Sequence, residues 1–163
     1  MKLHVVLVEP EIPQNTGNVA RTCAAIGAEL HLVHPLGFRV DDASVRRAGL
    51  DYWNMLTVHE HDSLSAFLDR HRNHHLYFYS ARASVSHTAV RYERESYLVF
   101  GKETEGLPQE IVLGKKGVAV RIPMRSGARC LNLSNAVAVG VYAALMQWDY
   151  AGLETERNQS PGA

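Results

Sequence analysis

The chain has 163 residues, 46% of them hydrophobic, which suits one domain with its own core. Its 17 basic and 17 acidic side chains cancel, so bulk charge argues against non-specific attraction to nucleic acid and leaves only local arginine clusters to form a patch. Cys23 and Cys130 are too few for a disulfide framework and suit a reducing compartment; no signal-peptide pattern precedes the first strand, so a cytoplasmic protein is expected.

Leu3–Val8 is a continuous apolar run, the pattern of a parallel strand buried on both faces. Two prolines within Glu9–Pro13 stop it. Asn15 or Thr16 is expected to cap a helix carrying Val19, Ala20, Cys23, Ala24 and Ile26, closed by Gly27. Leu30–His34 reads as a second strand. Asp41 and Asp42 open a short helix through Arg47, with Gly49 after it, and Leu56–His59 suggests another strand. Asp62 is the expected cap of a helix over Ser63–Arg72, where Leu64, Phe67 and Leu68 recur at helical spacing. His75–Ser80, Tyr97–Phe100 and Gly117–Ile122 read as strands, and Pro108 fits the first turn of a short helix to Leu113.

The last helix follows Asn135 and is apolar almost all round: Val137, Val139, Val141, Leu145, Met146, Trp148. Such a helix must be covered on both sides, here by a sheet and by a second subunit. Ala136, Gly140, Ala143 and Ala144 are small enough for close helix–helix approach. The run is too short to span a membrane, which takes about 20 apolar residues. Residues 1–150 form the expected domain and 151–163 a flexible tail. Strands alternating with helices predict an α/β fold with a mostly parallel sheet flanked by helices.

Ligands of such sheets sit beyond the carboxyl ends of the strands. Three polar loops follow strands: Asn15–Arg21, Gly101–Gly106 and Arg125–Asn135. In the first, Asn18 and Arg21 share a helical face, which reads either as a capped helix with a surface arginine or as a helix end offered to an anion or sugar hydroxyl. In the second, the glycines at both ends imply positive φ or close approach, either to a ligand or within a tight strand-to-helix connection. It lacks the spacing of a Walker loop or a Rossmann fingerprint. His71, His74 and His75 have a ligand-like spacing but nothing completes the set, so they read as the exposed end of a helix and no metal is expected. Arg46 and Arg47 read as solvated charges, with phosphate contact the alternative.

Taken together, the loops resemble the three motifs of the SpoU branch of the SPOUT methyltransferases: Asn15…Asn18-Val-Ala-Arg21-Thr-Cys-Ala-Ala-Ile-Gly27, Leu98-Val-Phe-Gly101-Lys-Glu103-Thr-Glu-Gly106-Leu-Pro, and Ile122-Pro-Met…Leu131-Asn132-Leu-Ser134-Asn135-Ala-Val. Glu9-Pro-Glu-Ile-Pro and Arg46-Arg-Ala-Gly-Leu-Asp-Tyr52 are similar to the minimal subgroup that methylates the wobble nucleotide of tRNA. The resemblance implies a C-terminal trefoil knot, S-adenosylmethionine as cofactor, and a homodimer through the last helix. It implies catalytic roles for Arg21, Asn15, Glu103 and Asn132, and cofactor contacts from Tyr79, Gly101, Ile122, Cys130 and Leu131. RNA contacts would come from Asn18, Arg46, Arg47, Arg125 and Arg129, on the anticodon stem-loop. Ser134 and Asn135 would cap the helix, and Cys130 stands where family members often carry Ser. Competing readings are ribosomal RNA as substrate, a non-catalytic RNA-binding protein, and a small-molecule enzyme, the last disfavoured because no phosphate-cradling loop is present.

Overall fold

The computed structural model describes residues 1–39 and 55–156. The helix expected from Asp41, with Arg46, Arg47 and Gly49, lies outside the described residues, as does the tail beyond 156. In chain order the elements are β1 (Lys2–Val8), α1 (Pro13–Ile26), β2 (Glu29–Val33), β3 (Val58–His61), α2 (Leu64–Arg70), β4 (His75–Tyr79), β5 (Val85–Ser86), β6 (Glu95–Phe100), α3 (Gln109–Val112), β7 (Val118–Arg121) and α4 (Leu133–Gln147).

The strands form one seven-stranded sheet in the order β3-β2-β1-β6-β4-β7-β5. Every pairing between described strands is parallel. Alternate residues of the central strands feed two cores, which is why β1 reads as a hydrophobic run interrupted only by His4. Val5, Leu7, Leu30, Leu32, Leu98 and Phe100 face α1 and α4, meeting Val19, Cys23, Val137, Val141 and Trp148. Val6, Val8, Val33 and Val99 face the other way, onto Phe67, Leu68 and Val112 of α2 and α3.

Several boundaries differ from expectation for identifiable reasons. α1 begins at Pro13, whose missing N–H is no loss in a first turn, and Ile12 occupies the cap position without a side-chain bond. Asn15 and Thr16 are therefore buried within the first turns and do not cap. α2 is capped by Ser63, whose Oγ accepts from the Ala66 N–H at 3.2 Å, in place of Asp62. α4 is capped by Asn132 and not by Ser134 or Asn135. β3 lies two residues later than expected, where it pairs with β2. β5 was not anticipated; a strand of two residues has no periodicity to read. His71 is buried against Phe67, His61 and Tyr97 and is not an exposed helix end. Beyond Tyr150 the chain still packs, through Leu153, against the α4 side of the sheet.

α4 buries Leu133, Val137, Gly140, Val141 and Ala144 and leaves Val139, Tyr142 and Met146 exposed. Gly140 admits the Tyr79 ring: a Cβ there would lie 2.8 Å from Tyr79 Cζ. That glycine thus serves helix-to-sheet contact rather than the expected helix-to-helix approach. Among the described residues, no helix is long and apolar enough to cross a membrane.

Candidate functional site

The loops leaving the carboxyl ends of β1, β4, β6 and β7 enclose a cavity of about 700 Å³. It is lined from β1's loop by Ile12 and Asn15, from β4's by Ser80, Ala81 and Arg82, from β6's by residues 101–106, and from β7's by Ile122, Met124 and 129–133. A volume of this size suits a drug-sized or nucleoside-sized ligand.

Hydrogen bonds tie three of these loops together. The Glu103 carboxylate accepts from the Glu11 N–H at 2.8 Å, the Ile12 N–H at 3.2 Å and Asn15 Nδ2 at 3.0 Å. Asn132 Nδ2 donates to Asn15 Oδ1 at 2.9 Å. Asn132 Oδ1 in turn accepts from the Ser134 N–H at 2.9 Å, which caps α4. The direction of this relay is forced. An ionised carboxylate only accepts, so Asn15 must present its NH₂ to Glu103 and its oxygen to Asn132. Asn132 then has its own oxygen left for the helix N-terminus. Glu103 thus satisfies, from a distant loop, the N–H groups of Glu11 and Ile12 just ahead of α1.

The contact is reciprocal. Glu11 Oε2 accepts from the Thr104 N–H at 3.1 Å and from Thr104 Oγ1 at 2.9 Å. Lys102 reaches Glu9 Oε2 at 3.4 Å and Glu105 Oε2 at 3.1 Å. The hydrogen bonds to Glu105 and Glu9 raise its pKa further above the ordinary lysine value. The loop itself turns back sharply: the Gly106 N–H donates to Lys102 O at 2.9 Å. Gly106 has φ +71°, where a side chain is strained. Gly101 is required for a different reason. A Cβ there would overlap the Gly106 carbonyl carbon and the Leu107 nitrogen, so the close approach is to the loop's own backbone.

Tyr79 lines the cavity but brings it no free hydroxyl. Its OH is bonded to the Tyr92 OH at 2.6 Å, and its ring stacks on Phe100 at 4.5 Å. Burial, reinforced by Tyr92, pushes its pKa up. The lining thus combines apolar residues such as Phe100, Ile122 and Leu131 with the polar relay of Asn15, Glu103 and Asn132.

Of the residues singled out from sequence, Asn15, Glu103 and Asn132 line the cavity, as do Tyr79, Gly101, Ile122, Cys130, Leu131 and Arg129. Asn18, Arg21 and Arg125 are exposed and do not line it. Arg21 lies six residues along α1 from Asn15, about 9 Å by helical rise. Sequence reasoning missed Arg82, whose Nη2 donates to Glu105 O at 3.4 Å, and the Glu11–Thr104 clamp. Arg82 follows β4 at its carboxyl end, so the strand-end rule would have flagged it. The loop carries no glycine or asparagine to mark it.

The chain matches the model of the SpoU rRNA methylase family over residues 2–142. It is 45% identical over 151 residues to the tRNA (cytidine(34)-2'-O)-methyltransferase of Escherichia coli (strain K12), covering 92% of this chain and 96% of that one. A solved structure described as giving insights into 2'-OH methylation of C/U34 on tRNA superposes with TM-score 0.86 at 45% identity, covering 91% of this chain and 97% of that one. An AdoMet-bound rRNA methyltransferase from Sinorhizobium meliloti shares the fold at TM-score 0.81 and 24% identity, over 89% of this chain and 56% of that one.

Proposed function

This chain belongs to the SpoU rRNA methylase family, and we propose that it transfers a methyl group from S-adenosylmethionine to the ribose 2'-hydroxyl of nucleotide 34, cytidine or uridine, in tRNA. The observation that carries this reading is the cavity where loops from four strand ends meet, three of them bound by the Glu103–Asn15–Asn132 relay. The near full-length relatives at 45% identity name the substrate. Their agreement on tRNA position 34 favours it over ribosomal RNA.

The residues present fit an adenosylmethionine. The Tyr79 ring, Ile122 and Leu131 give apolar walls, while Gly101 and the backbone of 129–131 offer polar groups at the rim. When bound, the donor supplies a methyl group on a positive sulfonium. What the chain must add is positioning of the attacking oxygen in line with that methyl, along with control of the hydroxyl proton. Asn15 and Asn132 are locked by Glu103 and so form a fixed rim on which a ribose can be oriented. Arg21 is the residue that stabilises the developing alkoxide. Its guanidinium is a poor base, with a pKa above about 12, so a phosphate oxygen of the RNA takes the proton. Arg125, Arg129 and Asn18 are exposed beside this edge and serve the RNA backbone, together with Arg46 and Arg47.

Two further features complete the proposal. β7 lies between β4 and β5, and Gln147 and Trp148 of α4 are strapped to residues 90–92 by bonds of 2.8–3.0 Å. This supports a C-terminal trefoil knot. The exposed apolar stripe Val139, Tyr142 and Met146 supports a homodimer through α4. A cytoplasmic setting follows from a tRNA substrate.

The test is methyl transfer from labelled S-adenosylmethionine to anticodon stem-loop transcripts carrying C or U at position 34. Label should enter, and should be lost when nucleotide 34 is a 2'-deoxynucleotide. Equal labelling of the deoxy transcript would overturn the assignment.

A further inference from the structure

At the amino ends of β1 and β2, opposite the cavity edge, polar side chains are buried on the α2 face. His4 and His31 are 2% and 3% exposed. His4 Nδ1 lies 3.0 Å from His31 Nε2 and 3.6 Å from Glu29 Oε2. The three ligand atoms all fall within 4.8 Å of one another. Strand register builds the arrangement, since His4 is paired directly with Glu29 and His31 lies two residues further along the same face of β2.

We propose that His4, Glu29 and His31 form a divalent metal site suited to Zn²⁺, placed as a cross-link between β1 and β2. Four-coordinate zinc with bonds of about 2.0–2.1 Å to nitrogen and oxygen sets neighbouring ligand atoms roughly 3.3 Å apart. The two measured separations, 3.0 and 3.6 Å, bracket that value. Two imidazoles and a carboxylate are an ordinary zinc donor set, leaving a fourth position for water or for His59, whose Nε2 is 2.7 Å from Glu29 Oε2.

The outer partners are those a metal site needs. Lys2 Nζ holds Glu29 Oε1 at 2.8 Å, leaving Oε2 turned inward. His31 Nδ1 is 2.9 Å from His61 Nε2, and His4 Nε2 is 3.4 Å from Glu95 Oε1. The His4 ring is clamped face-on to Tyr97 at 4.0 Å and 2°. The proton inventory is compatible with an ion. With a cation taking the His4 Nδ1 and His31 Nε2 lone pairs, His4 carries its proton on Nε2, 3.4 Å from Glu95 Oε1, and His31 carries its own on Nδ1, 2.9 Å from His61 Nε2. Burial lowers the pKa of both rings, keeping them neutral as ligation requires. Glu29, about one-fifth exposed, gives the ion a way in.

The experiment uses the full chain stripped with chelator, titrated with Zn²⁺ by calorimetry and with Co²⁺ by visible absorption, alongside melting curves. One equivalent should bind, Co²⁺ should give the strong visible bands of a four-coordinate nitrogen–oxygen site, and the melting temperature should rise. Glu29→Gln keeps the size of a partly exposed side chain and should weaken Zn²⁺ by at least about tenfold. His31→Asn should remove binding; if it fails to fold, Glu29→Gln carries the test. His74→Ala, in the exposed turn between α2 and β4, should bind like the parent. Absence of uptake by the parent, or unchanged affinity in Glu29→Gln, overturns the site.

Discussion

Asn132 donates to Asn15 at 2.9 Å across 117 residues of chain, joining the entrance of the last helix to that of the first. Neither amide can rotate without breaking a second bond, to Glu103 or to the α4 cap. Replacing Glu103 should therefore act through both asparagines. Glu103→Ala strands two backbone N–H groups and Asn15 Nδ2, and each unsatisfied donor costs about 1–3 kcal/mol when fully buried. The bonds are part-buried or exposed, so a total below the sum for buried donors, about 2 kcal/mol, is expected. Urea unfolding measures it. Double-mutant cycles with Asn132→Ala should show coupling of at least about 0.5 kcal/mol; strict additivity would mean the relay is not a unit.

Gly101→Ala should be worse than any polar change in the same loop. The added methyl collides with backbone on the far side of the turn, and backbone cannot swing aside as a side chain can. Loss of S-adenosylhomocysteine binding, read by calorimetry, is the expected result, together with a lower melting temperature. Gly106→Ala should be milder, about 1 kcal/mol, because only its positive φ is strained and no atom lies within 4 Å of the new methyl.

The fold was legible where one residue reports on its own surroundings. β1 and β6 declare burial on two faces, and the Gly27 stop of α1 is a backbone requirement visible in a single letter. The candidate site was legible in part for the same reason: asparagine and glycine after strands mark loops with something to hold. What could not be read were bonds between distant segments. Asn15 resembles a local cap, yet its partners are 88 and 117 residues away. The buried histidines have the same origin. His4, His31 and His61 are spaced by 27 and 30 residues and meet only through strand order.

Those histidines make stability depend on pH with a definite sign. Burial lowers His4 and His61 to about 4 and His31 to about 2, against an ordinary value of 6.5. Between pH 6.5 and 4 the unfolded chain therefore binds protons that the folded chain refuses. Stability is fully present above 6.5 and is lost as pH falls towards 4, by up to about 1.4 kcal/mol per pH unit for each group. Urea midpoints in chelator should drop steadily from pH 7 to pH 5. A flat profile would show that the rings are not held neutral.

The exposed stripe on α4 gives a prediction about assembly. Val139, Tyr142 and Met146 are 41%, 48% and 58% exposed and spaced three and four residues apart, so they share one helix face. Val139→Asp with Met146→Lys would put charge into any interface built there without touching the buried face. Sedimentation should change from dimer to monomer, and the melting temperature of the parent, not of the variant, should rise with concentration. A parent that sediments as a monomer throughout rules out the dimer.

Arg21 is the sharpest test of mechanism, because it is exposed on α1 and stands outside the cavity lining. If it stabilises the alkoxide, Arg21→Lys keeps the charge but loses the planar fork that can meet a ribose oxygen and a phosphate together. Turnover should then fall by roughly 100-fold or more, in line with the loss of one preorganised charge-stabilising donor. S-adenosylhomocysteine affinity should stay within a factor of about two, since none of the residues lining the cavity is altered. Arg21→Ala should lose activity further while still binding the cofactor product. Near-normal turnover in Arg21→Lys would exclude a specific guanidinium role and leave only general positive charge at this helix face.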